Sequence, residues 1–141
     1  MVNYNEISMI SIFFATPQWL RIILSLIYLG GIVFLSLLPA KEFPQVSLFE
    51  GADKIIHIFL YLGLSVLSCW SLHAEIKHKW YFRVILFAIS WGIMMEIFQG
   101  SMHMDRSFEY FDILSNSVGA LTGVSIFMVV AQLKKKIDLK N

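Results

Sequence analysis

Apolar residues dominate four long stretches of this chain, separated by short polar or proline-containing segments. The stretches run from about Trp19 to Leu38, Lys54 to Leu72, Tyr81 to Gly100 and Asp112 to Gln132. Each is close to the roughly 20 residues that a helix needs to cross the hydrocarbon core of a bilayer. Because a backbone in lipid must satisfy its own hydrogen bonds, the pattern predicts an all-α integral membrane protein with four transmembrane helices.

A shorter apolar pattern precedes these stretches. Ile7, Ile10, Phe13 and Phe14 recur at helical spacing before Pro17, which predicts a short helix lying in the membrane interface. We expect the first long stretch to act as an uncleaved anchor, because it is long enough to span. The predicted organisation is an N-terminal segment (1–18), a four-helix membrane domain (19–132) and a basic tail (133–141).

The composition supports a membrane protein and excludes several other classes. The 141 residues are 57% hydrophobic and 15% charged, too apolar for the small interior of a soluble domain of this size. The net charge of +1 gives no general attraction to nucleic acid, and we expect no nucleic-acid partner. Cys69, the single cysteine, lies in an apolar run and is interpreted as a packing residue. We predict no cofactor.

Lysine and arginine are unevenly divided between the two ends of the predicted bundle. Of the eleven, eight fall on one side and three on the other. The positive-inside rule therefore places both termini in the cytoplasm and the segments 39–53 and 101–111 outside. The eight are Arg21, Lys77, Lys79, Arg83, Lys134, Lys135, Lys136 and Lys140, and the three are Lys41, Lys54 and Arg106.

Polar side chains concentrate at the predicted outer end of three of these helices. Asp53 and His57 are four residues apart and share a helix face, and Asp112 and Asn116 have the same spacing. Because polar groups in lipid cost free energy, they should face each other or a wet cavity. The expected pocket comprises Asp53, Lys54, His57, Glu96, Gln99, Arg106, Asp112 and Asn116.

Some of these residues have a simpler structural interpretation. Asn116 and Gln99 taken alone could equally hold helices together by hydrogen bonds, and His57 alone could be a satisfied buried histidine. Gly119 and Gly123 form a GxxxG spacing that predicts close helix packing. The whole set, with acids, bases and amides at one depth, favours a functional site.

The order and spacing of these residues resemble the VanZ-like family. The matching pieces are "SLLP" (36–39), "DKIIHIFLY" (53–61), "EIFQ" (96–99), Arg106 and "DILSNSVGALTG" (112–123). The stretch before Arg106 reads "HMDR", whereas the family often has Pro-Gly or similar there. The resemblance implies a small bacterial multipass protein of the cell envelope, in the plasma membrane. The founding member is associated with teicoplanin resistance, but the resemblance supplies no reaction.

Our first functional hypothesis is an outward-facing site for the anionic headgroup of a membrane lipid or lipid-linked envelope precursor. Arg106 and Lys54 would contact its phosphate or carboxylate. Asn116 and Gln99 would orient it, and the three acids of the pocket would hold the cations and the histidine in place.

The second hypothesis is an enzyme that hydrolyses or transfers a group on a lipid-linked phosphate. His57 would be the general base, Glu96 the acid and Asp112 a further catalytic candidate. A metal bound by these three residues is conceivable, but their spacing is generic and we predict none. Transport is a third hypothesis, disfavoured because the polar residues lie away from the midplane. A homo-oligomer is left open.

The predicted orientation can be tested with cysteines placed at Ser47 and Ser107. Both should react with a membrane-impermeant thiol reagent in whole cells, because both lie in predicted outer segments. If labelling required broken cells, the orientation would be the opposite of the predicted one, and the pocket would face the cytoplasm.

Overall fold

Five helices form the part of the chain that the computed structural model describes, residues 4–38, 51–73, 78–101 and 108–139. They are α1 (Tyr4–Ala15), α2 (Gln18–Leu37), α3 (Ala52–Ser71), α4 (His78–Ser101) and α5 (Tyr110–Asp138). The all-α prediction is confirmed, and α2 to α5 are long and apolar enough to cross a membrane. The sidedness of the termini stays a prediction.

The helix boundaries follow local backbone chemistry. Pro17 fixes the turn before α2, and its carbonyl accepts hydrogen bonds from the backbone N–H groups of Leu20 and Arg21 at 3.1 and 3.2 Å. Gly51 precedes α3 with φ of 84°, a left-handed conformation that favours glycine. The 29 residues of α5 span about 43 Å, which exceeds the hydrocarbon core. The helix continues past Gln132, the predicted end of the apolar stretch, into the basic tail, because the lysines there are good helix formers.

The bundle places large apolar side chains on its outside as well as in its core. Ile27, Phe59, Phe82 and Val129, one from each long helix, are all more than half exposed. Such a surface suits lipid rather than water. Two clusters of buried apolar residues fill the interior: Ile32, Tyr61, Leu64, Ala88 and Ala120 in one, and Cys69, Trp70, Val84, Val124 and Phe127 in the other. Cys69 is fully buried, which confirms its interpretation as a packing residue.

The closest helix pair is α3 with α5, and α3 also packs against α2 and α4. Gly119 lies directly against the backbone carbonyl of Ile58, and Gly123 against that of Leu62. A Cβ on Gly119 would sit 3.0 Å from the Ile58 carbonyl carbon and would overlap its oxygen. The prediction of close packing at the GxxxG spacing is confirmed, and this contact sets the register between the helices that carry the polar residues.

The short N-terminal helix α1 packs on the end of the bundle where α3 finishes. Phe13 stacks on Trp70 with ring centroids 4.6 Å apart, and the Trp70 indole N–H donates to the Phe13 carbonyl at 2.8 Å. Phe14 contacts His73 and Phe127. Burial lowers the pKa of His73, and the nearby positive charges of Arg21 and Lys134 lower it further.

Side chains of α2 satisfy the last carbonyls of α3 at this end. The buried Arg21 guanidinium donates to the Trp70 carbonyl at 2.6 Å, and the Ser25 hydroxyl lies 3.0 Å from the Leu67 carbonyl. Cations beside a helix C-terminus also complement its dipole. Arg21 therefore contributes to helix packing, and it is also one of the eight basic residues from which the orientation is predicted.

Replacement of Gly119 by alanine should lower the free energy of unfolding by about 1–3 kcal/mol, because α5 must move away from the Ile58 carbonyl. The matched control is Gly30→Ala in α2, where nothing lies within 4 Å of the new methyl group. The control should be neutral or stabilising by up to about 1 kcal/mol. Unfolding in detergent by increasing mole fractions of SDS measures the free energy of unfolding of both variants. Equal changes in the two would contradict the close contact between Gly119 and Ile58.

Candidate functional site

The ammonium group of Lys54 is surrounded by carboxylates from α3 and from the start of α5. Its Nζ lies 2.6 Å from Asp53 Oδ2 and 2.6 Å from Asp112 Oδ1, and it also contacts Glu109 Oε2. The lysine side chain is 24% exposed and Asp112 is 12% exposed. The positive charge of Lys54 is therefore already neutralised by its own neighbours.

His57 lies one turn further along α3, between two side chains of α5. Its Nδ1 is 2.9 Å from Asn116 Oδ1, and its Nε2 is 3.7 Å from Asp112 Oδ2. The i, i+4 spacings predicted from the sequence explain this arrangement, because each pair shares a face of its helix. The close contact at Gly119 brings the two faces together.

Glu96 enters the same region from α4 and is only 1% exposed. One of its oxygens accepts a hydrogen bond from the backbone N–H of Glu109 at 3.4 Å. Ligand atoms of Glu96, His57 and Asp112 all lie within 4.8 Å of one another. Space for this convergence comes from Gly92, one turn before Glu96, where a Cβ would lie 2.9 Å from Asn116 Nδ2.

Two further residues, Gln99 and Arg106, were expected in the pocket. The Gln99 amide donates to the Ser36 carbonyl at 3.0 Å, which ties α4 to the end of α2. Arg106 lies outside the described residues. Glu109 is a participant that the sequence reasoning missed. Its position three residues before Asp112, in the outer segment that contains Arg106, is the sequence signal that could have found it.

The polar cluster, defined here as Asp53, Lys54, His57, Glu96, Glu109, Asp112 and Asn116, lies where α3 and α5 begin and α4 ends. A lateral apolar groove of about 430 Å³ lies toward the other end, between α2, α3 and α4. Its lining includes Leu26, Leu64 and Phe87, and Trp80 and Arg83 from the first turns of α4. The Arg83 guanidinium stacks 4.6 Å from the centre of the Trp80 ring. The groove and the polar cluster are therefore separate features.

Comparison with protein-family models, with curated proteins and with solved structures finds no match for this chain. The polar cluster must therefore be interpreted from its own chemistry. It offers an imidazole with a defined hydrogen bond, two buried carboxylates and a buried amide. Such groups can bind a cation, hold a water molecule or transfer a proton.

Replacement of Lys54 by methionine should lower the free energy of unfolding by about 2 kcal/mol, because Asp112 then keeps a partly buried charge without its ammonium partner. The matched control is Lys134→Met, which removes an i, i+4 ion pair with the exposed Asp138. It should change stability by less than about 0.5 kcal/mol. The same SDS titration compares the two variants. If Lys54→Met left the free energy of unfolding unchanged, the ion pairs of Lys54 would contribute nothing to folding stability.

Proposed function

We propose that the polar cluster and Arg106 bind the anionic headgroup of a membrane lipid or of a lipid-linked envelope precursor. The observation that carries this proposal is the burial of Glu96, Asp112 and Asn116 at one end of an otherwise apolar bundle. Polar groups in a membrane-spanning segment are costly, and their retention is most simply explained by a ligand that uses them.

The ion pairs within the cluster indicate which cation would contact the anionic headgroup. Lys54 already contacts three carboxylates, so it is a poor phosphate donor and better suited to hold Asp112 in position. Arg106 is the cation that we propose contacts the headgroup, since its planar guanidinium suits phosphate and carboxylate. The Asn116 amide would orient the headgroup, while Gln99 would act indirectly by tying α4 to α2.

We further propose that the protein is a bacterial plasma-membrane protein of the VanZ-like type, with both termini in the cytoplasm. The motif order from Ser36 to Gly123 supports this kinship, and the lysine and arginine distribution supports the orientation. The headgroup site would then face the outer leaflet, where envelope precursors are used. A role in glycopeptide-type envelope resistance would follow from altered handling of such a precursor.

A second candidate function is hydrolysis or group transfer on a lipid-linked phosphate. The observation that favours it is the position of His57, whose two ring nitrogens face Asn116 and Asp112. A histidine oriented in this way is suited to act as a general base. Glu96, with a carboxylate oxygen within 4.8 Å of ligand atoms of His57 and Asp112, would supply the acid.

The headgroup proposal is tested by purifying the protein with its surrounding lipid and identifying bound species by mass spectrometry. A defined anionic lipid should be present in the wild type and lost from Arg106→Ala. The matched control is Arg83→Ala, an arginine beside the lateral groove, which should retain that lipid. Loss from Arg83→Ala alone would place the lipid in the groove and contradict the proposed site.

The same preparations separate binding from catalysis and from a purely structural role. If the protein is an enzyme, His57→Ala should abolish turnover of the identified lipid while the lipid remains bound. If the polar residues only hold helices together, each substitution should lower stability and no defined lipid should copurify with any variant.

A further inference from the structure

The carboxylates of the polar cluster outnumber its permanent cations. Four acids, Asp53, Glu96, Glu109 and Asp112, accompany the single ammonium of Lys54. Asp53 and Glu109 are about half exposed to solvent, whereas Glu96 and Asp112 are buried. Within the described part of the cluster, Lys54 supplies the single permanent positive charge near these two buried carboxylates, and buried negative charge requires compensation. We propose that His57, Glu96 and Asp112 bind one divalent transition-metal ion of the zinc type.

The distances between the three side chains suit such an ion. Zinc binds histidine nitrogen and carboxylate oxygen at about 2.0–2.2 Å, so two ligands of one ion lie about 3–4 Å apart. The 3.7 Å between His57 Nε2 and Asp112 Oδ2 falls in this range and is too long for a hydrogen bond. A carboxylate oxygen of Glu96 lies within 4.8 Å of a ligand atom of each of these two residues.

The hydrogen bond to Asn116 determines which nitrogen of His57 faces the acid. An amide oxygen only accepts, so His57 Nδ1–H donates to Asn116 Oδ1 across 2.9 Å. In the neutral imidazole, Nε2 then carries a lone pair directed toward Asp112 Oδ2. Two acceptors at 3.7 Å repel each other unless a proton, a water molecule or a metal cation lies between them, and the ion is the choice that also compensates the charge of Asp112. Metal-bound histidines characteristically donate their other N–H in this way, which fixes the ring for coordination.

Burial provides an independent reason to expect a ligand here. Asn116 is 1% exposed, and within the described residues its Nδ2 has no hydrogen-bond partner. A buried amide donor without an acceptor costs free energy, so an oxygen of a ligand or bound water at this position would satisfy it. Asp112 uses Oδ1 for Lys54, which leaves Oδ2 for the ion. Asp53 and Glu109 neutralise Lys54, and this limits its repulsion of a nearby cation.

The donor set selects the class of metal. One imidazole with two carboxylates suits zinc and neighbouring transition metals, whereas magnesium and calcium prefer oxygen ligands alone. Three protein ligands leave a coordination position for water or for an oxygen of a substrate. The inference goes beyond the headgroup proposal and does not depend on it, because metal binding is measured without lipid.

The test uses the whole 141-residue chain, purified in detergent with an affinity tag that lacks histidine. After treatment with a chelator and its removal, one equivalent of Zn²⁺ is added, and bound metal and melting temperature are measured. We expect about one zinc per chain and a raised melting temperature, with no comparable rise for Mg²⁺. His57→Ala and Asp112→Asn should lose the bound zinc, and Asn116→Ala should weaken binding about 10–100-fold.

The matched control is His73→Ala, a histidine at the other end of the bundle that should leave zinc binding unchanged. X-ray absorption of the zinc-loaded wild type, which should show one imidazole among oxygen ligands, gives a result even if a variant fails to fold. Less than a tenth of a zinc per chain with an unchanged melting temperature would overturn the proposal. So would equal binding by wild type and a folded His57→Ala. The lipid measurement on Arg106→Ala is independent of these outcomes.

Discussion

The free-energy cost of an unpaired polar group in hydrocarbon governs both ends of this bundle. Because no bulk water is available there to satisfy a carbonyl or a charge, the chain or a ligand that it binds must supply the partner. At one end, Arg21 and Ser25 of α2 meet the last carbonyls of α3. At the other end, Lys54 meets three carboxylates and His57 meets Asn116. The middle of the bundle is formed mainly by apolar residues such as Leu64 and Ala88.

The central helix α3 links these two ends. Its first turns carry the lysine and histidine of the polar cluster, and its last turn accepts the guanidinium of Arg21. Contact with α5 through Gly119 and Gly123 is close enough that backbone touches backbone. Rigid backbone contact of this kind fixes the distance between His57 and Asp112 more tightly than flexible side chains could. The geometry of the candidate site is therefore a consequence of two glycines that lie outside it.

The sequence predicted the elements well, because about 20 consecutive apolar residues have few structural alternatives. It also predicted which polar residues share a helix face, since that depends only on the 3.6-residue period. Helix rotation and loop paths were not predictable from one sequence. Gln99 was expected in the pocket together with Glu96, but its amide donates to the Ser36 carbonyl. Glu109 contacts Lys54 from a segment predicted to be an outer loop. Arg21, counted for orientation alone, is buried because α3 ends beside it.

The pairing of α3 with α5 has a consequence for the synthesis of the protein. His57 and Asn116 are 59 residues apart, and α4 lies between them in the chain. At about 5–20 residues per second, α3 waits roughly 3–12 s for the helix that satisfies it. During that interval Lys54 and His57 lack Asp112 and Asn116, so water at the membrane surface or another polar group must solvate them in place of these partners. Completion of this bundle thus depends on α5, which is translated after α1 to α4, and a chain truncated before Tyr110 would leave these polar groups for the quality-control proteases of the membrane to recognise.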